Sequence, residues 1–225
     1  MAQMPHHFEA EITQVARLDY LLYLPPGYGD DPGQRWPLIL FLHSAGGRGS
    51  DLELVRRNGI AGFLDDGHDL PFIVVSPQCP ADSHWTLHVE ALNALLSDVT
   101  ARYRIDEDRV YLTGMSLGGA GTWMLAGVYP ERFAAIAPVS ARIVPLPLPR
   151  LLNLAIWAFH GETDDVIPVS EAQRTVDALH AMGGNVKLTV YPGVGHDAWP
   201  QVYNNPELYE WFLSHQRAYR CDDTI

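Results

Sequence analysis

Cysteine is nearly absent from the sequence, which contains two, Cys79 and Cys221, among 225 residues. Two cysteines so far apart provide neither a disulfide framework nor the spacing of a zinc site. No apolar run approaches the roughly 18 residues that a membrane-spanning helix requires. The first ten residues, MAQMPHHFEA, lack the basic and then apolar segments of a signal peptide. We therefore expect a cytoplasmic protein without stable membrane association.

Basic residues are also scarce, with 15 Lys and Arg against 27 Asp and Glu and a formal net charge of -12. Nucleic acids and anionic membranes require a positively charged footprint on their protein partners. The charge therefore argues against nucleic acid as a partner. It leaves small molecules, and further copies of the chain in a homo-oligomer, as partners that the composition allows.

Apolar runs of strand length are frequent, and polar and apolar residues do not alternate within them. Strands that are buried on both faces, as in a parallel sheet covered by helices, have this pattern. Helical patterns lie between the runs, the clearest being an apolar stripe over 92–103. This order predicts a three-layer α/β fold, with a mostly parallel central sheet and helices on both faces. The runs are PLILFLH (37–43), PFIVVSP (71–77), RVYLTG (109–114), FAAIAPVS (133–140) and LAIWAFHG (154–161).

Two further segments indicate the edges of this sheet. VKLTVYPG (186–193) alternates apolar and polar residues, which is typical of a strand near an edge. ITQVARLDYLLYLPP (12–26) predicts one or two antiparallel strands at the other edge. Because no repeat or linker interrupts the pattern, we expect a single domain over residues 1–225. The proline-rich segment PLPLPR (145–150) is too short to form a large lid domain.

The sequence also predicts where two helices begin and end. Ser170 followed by Gln173 is the pattern of a capping box at a helix start, and Gly183–Gly184 is a typical helix end. The segment NPELYEWFLSHQRAY (205–219) predicts a helix near the C-terminus.

The segment TGMSLGG places Ser116 between Gly114 and Gly118, where a strand run ends and a helical pattern starts. This G-x-S-x-G spacing is the pattern of a nucleophile elbow. Such a sharp turn strains the serine backbone, and side chains two positions away would collide with the strand and helix. The helix N-terminus would supply partial positive charge to a developing oxyanion. The alternative is an ordinary turn in which Ser116 caps the helix.

A serine hydroxyl requires a base, and the base requires an orienting acid. When the nucleophile lies on such an elbow, the acid and then the histidine follow it in the chain. The loop HGETDDVIP offers Glu162, Asp164 and Asp165, and the loop YPGVGHDAW offers His196. Each loop follows a predicted strand, so we expect both to meet Ser116 at one edge of the sheet. Taken singly, each would be read as a solvated surface loop.

An oxyanion requires backbone N–H donors, and we expect Leu117, directly after the serine, to provide one. The glycine-rich loop LHSAGGRGSD follows an early strand, and glycine allows a backbone to approach a ligand closely. Ala45 is the candidate for the second donor, with Ser44 as the alternative. A phosphate-binding loop is not indicated, because neither G-x-x-x-x-G-K-[ST] nor G-x-G-x-x-G is present.

Together these motifs resemble those of the α/β-hydrolase superfamily. Within it, the chain resembles bacterial esterases of the phospholipase/carboxylesterase and dienelactone-hydrolase-like group, including feruloyl-esterase-like and predicted peptidase members. The resemblance covers nearly the whole chain. It is carried by YLPPGYGDDPGQRWPLILFLHSAGGRGSD, SPQCP, GMSLGGAGTW, HGETDDVIP and GVGHDAW.

The resemblance implies a role for each matching residue. The family pattern H-G-x-x-D-x-x-V-P assigns the triad acid to Asp164, with Asp165 as the neighbouring alternative and Ile167 where valine is usual. The oxyanion motif is usually L-H-G-x-G, and in this chain Ser44 occupies the position of its first glycine.

The activity that the resemblance implies is that of a serine carboxylesterase without a metal or cofactor. It would hydrolyse small to medium acyl or aryl esters through a Ser116, His196 and Asp164 triad and an acyl-enzyme intermediate. Two alternatives share these residues: a peptidase or thioesterase, and a ligand-binding α/β-hydrolase with slow turnover. Rapid hydrolysis of a simple ester would separate the first reading from the last.

The substrate pocket is less specified by the sequence. Ser44, Trp85 and Trp199 are candidate substrate-binding residues, although tryptophans at such positions also pack in the core or at a rim. His84 and His88 are four apart, a spacing that can place two metal ligands on one helix face. Because no H-E-x-x-H motif is present, we expect no metal site there.

Overall fold

The central element is one seven-stranded sheet. The computed structural model describes residues 3–11, 13, 15–142 and 147–217. The strands are β1 (Tyr20–Tyr23), β2 (Trp36–Leu42), β3 (Ile73–Pro77), β4 (Ile105–Met115), β5 (Ala135–Val139), β6 (Ala155–Gly161) and β7 (Val186–Tyr191). Their order is β1-β3-β2-β4-β5-β6-β7, and only the β1–β3 pair is antiparallel. The prediction of a mostly parallel α/β sheet is confirmed.

Helices cover both faces of this sheet. They are α1 (Gly59–Asp65), α2 (Val89–Arg102), α3 (Leu117–Val128), α4 (Val169–Ala181), α5 (Trp199–Tyr203) and α6 (Pro206–Leu213). One apolar cluster joins the sheet to α2, α3 and α4, and a second joins it to α1, α5 and α6. The molecule therefore has three layers, with a hydrophobic core on each side of the sheet.

Strand β2 explains why the apolar runs do not alternate. Leu38, Leu40 and Leu42 pack into the first cluster, whereas Ile39 and Phe41 pack into the second. Because successive side chains of a strand point to opposite faces, a strand between two cores must be apolar at every position. By contrast β7 lies at the edge, and of its residues only the first is fully buried. Its predicted edge position is confirmed.

Several predicted boundaries require correction. Helix α4 begins at Val169 with Pro168 as its N-cap and without a side-chain cap, so the Ser170 capping box is wrong. Ile167, just before the helix, is already held by hydrogen bonds to His160 in β6 and to Asp164 in the preceding loop, which fixes where the helix can start. The predicted end is confirmed, since Gly183 has the left-handed φ of 81° that favours glycine.

The two ends of the chain are also less regular than predicted. The segment 12–26 contributes one short strand, β1, and residues 12 and 14 lie outside the described residues. Helix α6 ends at Leu213, well before residue 219, and residues 218–225 lie outside the described part of the chain. That part includes Cys221, whereas Cys79 is a buried free cysteine.

The proline-rich segment falls partly outside the described residues, which omit 143–146. Its remainder forms a short 3-10 helix, Leu148–Leu151. In the described ranges, no helix combines the length and the apolar character needed to cross a bilayer. That residues 1–225 form a single domain stays a prediction.

Candidate active site

Ser116 lies on a sharp corner between β4 and α3. Its backbone has φ 54° and ψ −110°, a conformation that a residue with a side chain rarely adopts. Strain of this kind costs on the order of 1–3 kcal/mol and persists only when the surroundings enforce it. Here the Ser116 N–H donates to Val139 O at 2.9 Å, and Ser116 O accepts from Ala120 N at 2.9 Å. The corner is thus fixed on both sides by the backbone.

The glycines around Ser116 are required by close backbone contacts. A Cβ on Gly118 would lie 1.8 Å from Leu42 O, and a Cβ on Gly114 would lie 2.6 Å from the same oxygen. Real Cβ atoms do not approach other atoms this closely, so both positions exclude any side chain. The G-x-S-x-G spacing therefore reflects the direct packing of α3 against β2.

His196 lies between Ser116 and Asp164. Its Nε2 is 2.9 Å from Ser116 Oγ, and its Nδ1 is 2.8 Å from Asp164 Oδ2. An ionised carboxylate only accepts hydrogen bonds, so Nδ1 carries the proton and Nε2 accepts from the serine hydroxyl. The imidazole is therefore held in the tautomer that can remove the proton from Ser116.

Asp164 is held by the loop that follows β6. Its Oδ1 accepts from Val166 N at 2.9 Å and from Ile167 N at 2.8 Å, and its side chain is fully buried. Burial raises the pKa of Asp164, but the Ile167 N–H, the His196 side chain and the Val166 N–H together lower it below its ordinary value. Asp164 therefore remains ionised beside His196, whereas the neighbouring Asp165 is exposed to solvent.

The acid loop and the histidine loop are joined by backbone contacts. Thr163 N donates to Val194 O at 2.9 Å, and a Cβ on Gly161 would lie 2.0 Å from Gly195 O. Glu162, one of the acids considered from the sequence, accepts from Gly193 N at 2.8 Å. Glu162 thus braces the histidine loop rather than contacting His196, a role that no sequence motif indicated.

The two candidate oxyanion donors begin helical turns. Leu117 is the first residue of α3, and Ala45 is the first residue of a 3-10 helix, Ala45–Gly47. The first N–H groups of a helix have no partner within it and are free to bind an anion. Ser44 has φ −72° and ψ 177°, ordinary extended backbone, so replacing the usual glycine does not strain this loop.

His43 supports the oxyanion loop from below. Its Nε2 accepts from Cys79 N at 3.0 Å, so Nδ1 carries the proton that is donated to Ser44 O at 2.6 Å. Burial lowers the pKa of His43, with the Ser44 carbonyl acting against this and Arg48 adding to it. A Cβ on Gly47 would lie 2.5 Å from the His43 ring, which explains a glycine in this turn. The neutral ring fixes the loop that carries Ala45.

The two candidate pocket tryptophans occupy different environments. Trp85 is 0% exposed, and its Nε1 donates to His43 O at 3.0 Å. Trp85 packs under the oxyanion loop and has no accessible surface. The expectation that it contacts substrate is therefore wrong. Trp199 is half-buried and lines an open groove of about 490 Å³. Other residues along this groove are Arg57, Phe63, Pro200, Tyr203 and Asn204.

A second, much smaller cavity lies beside the elbow. It has a volume of about 10 Å³ and is lined by Ser44, Leu54, Asn58 and Met115, among others. That volume is comparable to the space required by one water molecule. The tight cavity therefore adjoins the elbow at Met115, whereas the open groove lies at Trp199, just after the histidine loop.

The histidines considered as metal ligands lie at a helix start. His88 precedes α2, and its Nε2 is 2.7 Å from Ser83 Oγ, while His84 precedes a short 3-10 helix. Within the described ranges, no three His, Cys, Asp or Glu side chains gather as they would around a metal ion.

A comparison with family models matches residues 83–205 to the phospholipase/carboxylesterase family. Among curated proteins, acyl-protein thioesterase 1 of Neurospora crassa is 34% identical over 103 residues, which are 42% of this chain and 42% of that protein. A bifunctional acetylxylan esterase/xylanase of Neocallimastix patriciarum is 27% identical over 88% of this chain and 28% of its own length. The chain spans about half the length of the curated relatives it matches, and less of the Neocallimastix protein.

Solved structures extend the likeness to nearly the whole fold. A thermostable esterase superposes with a TM-score of 0.77 at 32% identity, covering 89% of this chain and 60% of that one. A feruloyl esterase module from Clostridium thermocellum superposes with a TM-score of 0.68 over 92% of this chain and 86% of its own. The two sequences are 16% identical, so this superposition shows a shared fold only, and that fold is the α/β-hydrolase fold.

Proposed function

The chain belongs to the phospholipase/carboxylesterase family, and from that premise we propose that it is a serine carboxylesterase acting on small to medium acyl or aryl esters. The observation that carries the proposal is the line of hydrogen bonds from Ser116 Oγ through His196 to Asp164, at 2.9 and 2.8 Å. These contacts join a nucleophile, a base and an orienting acid in the protonation states that acyl transfer requires.

In the proposed reaction, Ser116 Oγ attacks the ester carbonyl while His196 Nε2 takes its proton. The positive charge that develops on His196 lies against the ionised Asp164. The negative charge that develops on the carbonyl oxygen is stabilised by the N–H groups of Leu117 and Ala45 and by the partial positive charge at the start of α3.

Collapse of the tetrahedral intermediate expels the alcohol, which receives the proton from His196 Nε2. The acyl group is then an ester of Ser116. A water molecule, deprotonated by the same nitrogen, attacks this ester, and His196 Nε2 returns the proton to Ser116 Oγ as the acid leaves.

The tight cavity at Met115 and the open groove at Trp199 support a division of the substrate. We propose that a small acyl group faces the tight cavity between Ser44 and Met115, and that a larger alcohol or aryl group lies in the groove at Trp199. Aromatic surfaces such as the Trp199 indole favour aryl groups. On this assignment, hydrolysis should fall as the acyl chain lengthens from acetyl to octanoyl.

A thioesterase is the second candidate, because acyl-protein thioesterase 1 from several fungi is among the relatives matched. A thiol leaves as a thiolate more readily than an alcohol leaves as an alkoxide, because the pKa of a thiol is about 8.5. Thioester hydrolysis therefore depends less on protonation by His196. A thioesterase should prefer a thioester to the oxygen ester with the same acyl group.

The test compares hydrolysis of p-nitrophenyl acetate, butyrate and octanoate, methyl ferulate, and acetyl and butyryl thioesters. Wild type, Ser116→Ala and the control Ser97→Ala, which removes an exposed hydroxyl from α2, are measured side by side. We expect turnover that falls by about 10³-fold or more in Ser116→Ala and is unchanged in the control. Full activity of Ser116→Ala would contradict the proposal. If wild type hydrolyses none of these substrates, peptide hydrolysis would be measured next, and then ligand binding without turnover.

A further inference from the structure

Gln78 contacts the oxyanion loop, residues 44–51, from inside the molecule. It directly follows β3 and is buried. Its main chain is anchored to the residue just before β1, because Gln78 N donates to Asp19 O at 2.8 Å. Its side-chain Nε2 lies 2.8 Å from Gly47 O and 2.8 Å from Asp51 O. The sequence indicated this glutamine only as part of the motif SPQCP.

The two contacts use both hydrogens of one amide group. Carbonyl oxygens only accept, so they face the Nε2 of Gln78 and not its Oε1. Asp51 O also accepts from Leu54 N at 3.0 Å, at the start of the 3-10 helix Leu52–Arg57. Asp51 is therefore a fixed point, and the Gln78 amide ties Gly47 to it across the loop.

The outer part of the oxyanion loop has little packing of its own. Ala45 and Gly46 are exposed, and a Cβ on Gly46 would meet nothing within 4 Å. Glycine-rich backbone has more conformations available to it than other backbone has. The turn therefore depends on hydrogen bonds from below. His43 bonds to the carbonyl just before Ala45, and Gln78 bonds to Gly47 O at the end of the turn.

Packing alone does not account for a glutamine at this position. Gln78 Oε1 is buried and makes no hydrogen bond within the part of the chain that the structure describes. An unpaired buried polar atom is unfavourable, and a methionine would fill a similar space without one. What the amide adds over an apolar side chain is its pair of bonds to the oxyanion loop.

We propose that Gln78 is a positioning residue of the hydrolytic reaction, which keeps the Ala45 N–H directed at the developing oxyanion by tying Gly47 O to Asp51 O. The inference rests on the proposed function, since the Ala45 N–H has a task only if an oxyanion forms. Donors of this kind are effective because they are oriented before the charge develops. Without the brace, the turn would have to be reordered in every catalytic cycle.

The kinetic test removes the amide and keeps the volume. Gln78→Met lacks both N–H groups, whereas Gln78→Asn keeps an amide that is one carbon too short to reach both carbonyls. Thr175→Val is the control, because it also removes a buried side-chain bond to a backbone carbonyl, that of Glu171 in α4. On p-nitrophenyl acetate we expect kcat to fall about 10- to 100-fold in both Gln78 variants with KM nearly unchanged, which is less than the loss of a whole oxyanion donor. The control should resemble wild type.

A covalent adduct tests oxyanion stabilisation directly. A trifluoromethyl ketone labelled with ¹³C at its carbonyl forms a hemiketal when Ser116 Oγ adds to that carbon and His196 takes the proton. The pH at which the hemiketal oxygen ionises, followed by its ¹³C resonance, measures how strongly the site stabilises the oxyanion. We expect this pH to rise by about one unit in Gln78→Met, which corresponds to tenfold weaker stabilisation, and to stay unchanged in Thr175→Val.

Hydrogen exchange measures the loop without turnover. The Gly49 N–H donates to Cys79 O at 3.0 Å within the same loop, and it should exchange about tenfold faster in Gln78→Met than in wild type or the control. If Gln78→Met does not fold, Gln78→Asn replaces it in all three measurements.

The outcomes separate the two proposals. An unchanged kcat and an unchanged hemiketal ionisation in the Gln78 variants would overturn the role of Gln78 and leave the esterase proposal intact. A fall in kcat that only follows the loss of folded protein, without a shift of the hemiketal ionisation, would indicate a purely structural role and would also overturn it. If wild type hydrolyses none of the esters or thioesters and forms no hemiketal, the proposed function fails, and the role of Gln78 fails with it.

Discussion

Two glycine-flanked loops meet at the site, and their glycines serve different purposes. At the elbow, Gly114 and Gly118 lie where backbone touches backbone, and neither has room for a Cβ. In the histidine loop, a Cβ on Gly193 or Gly195 would meet nothing within 4 Å. Gly193 has a left-handed φ of 68°, so there glycine is favoured by conformation, not by space.

The difference shows how the candidate nucleophile and the candidate base are each fixed. Ser116 follows a buried central strand and is positioned by tightly packed main chain. His196 follows the edge strand β7, and its side chain is 18% exposed. It is held by side-chain hydrogen bonds and by the acid loop. The elbow should therefore be sensitive to added volume, and the histidine side should be sensitive to the loss of single polar groups.

The largest effect is expected from the acid on the histidine side. Asp164→Asn keeps the shape but removes the charge that sets the His196 tautomer, so kcat should fall by about 10⁴-fold. Asp165→Asn, one residue later and exposed, should retain activity. Steady-state kinetics on p-nitrophenyl acetate with both variants decide this. A large loss in Asp165→Asn instead would reverse the assignment of the acid.

Added volume is the corresponding test of the elbow. Gly118→Ala forces a Cβ against Leu42 O, and we expect the free energy of unfolding to fall by about 3 kcal/mol or more. Gly195→Ala adds the same methyl group to open space and should keep or slightly raise stability. Thermal and urea unfolding of the two variants measure the contrast. Equal destabilisation would mean that both loops are packed alike.

The two tryptophans extend the contrast to side chains. Trp85→Phe leaves His43 O without its donor, and stability should fall by about 1–3 kcal/mol while KM stays close to that of wild type. Trp199→Phe alters the groove, so KM for aryl esters should rise severalfold with little change in stability. Unfolding curves and KM for methyl ferulate separate these effects. A raised KM in Trp85→Phe would show instead that Trp85 contributes to the substrate pocket.

The smallest effect is a pH dependence of stability from Asp164. Its folded-state pKa is lowered, so its contribution is present above the ordinary value of about 3.9 and is lost as the pH falls through the lower folded value. The stability of wild type relative to Asp164→Asn should therefore decrease as the pH is lowered from about 6 to 3. Melting temperatures across this range provide the measurement.

Much of this arrangement could be predicted from local sequence patterns. The buried strands could be predicted because a strand between two cores must be apolar throughout. Ser116 could be identified because the glycines around it mark a close backbone contact. That the elbow, the acid loop and the histidine loop lie together followed from a parallel sheet, whose strand ends meet at one edge. Each of these signals is contained in a short stretch of the sequence.

What could not be predicted depends on contacts between distant segments. Trp85 looked like a pocket residue because nothing near it in the sequence reveals that it donates to His43 O. The bond between Glu162 and Gly193 joins two loops whose distance is set only by the sheet. Helices α1 and α5 were missed because seven and five residues are too few to form a periodic stripe.

The order of the strands has a consequence for refolding kinetics. Ser116 and His196 are 80 residues apart, and they meet only when β7 has paired with β6 at the edge of the sheet. Contacts of such long sequence separation form slowly, because the intervening chain must first be closed into a loop. In a refolding experiment, recovery of turnover should trail the burial of the central tryptophans. The delay would report the docking time of a single edge strand.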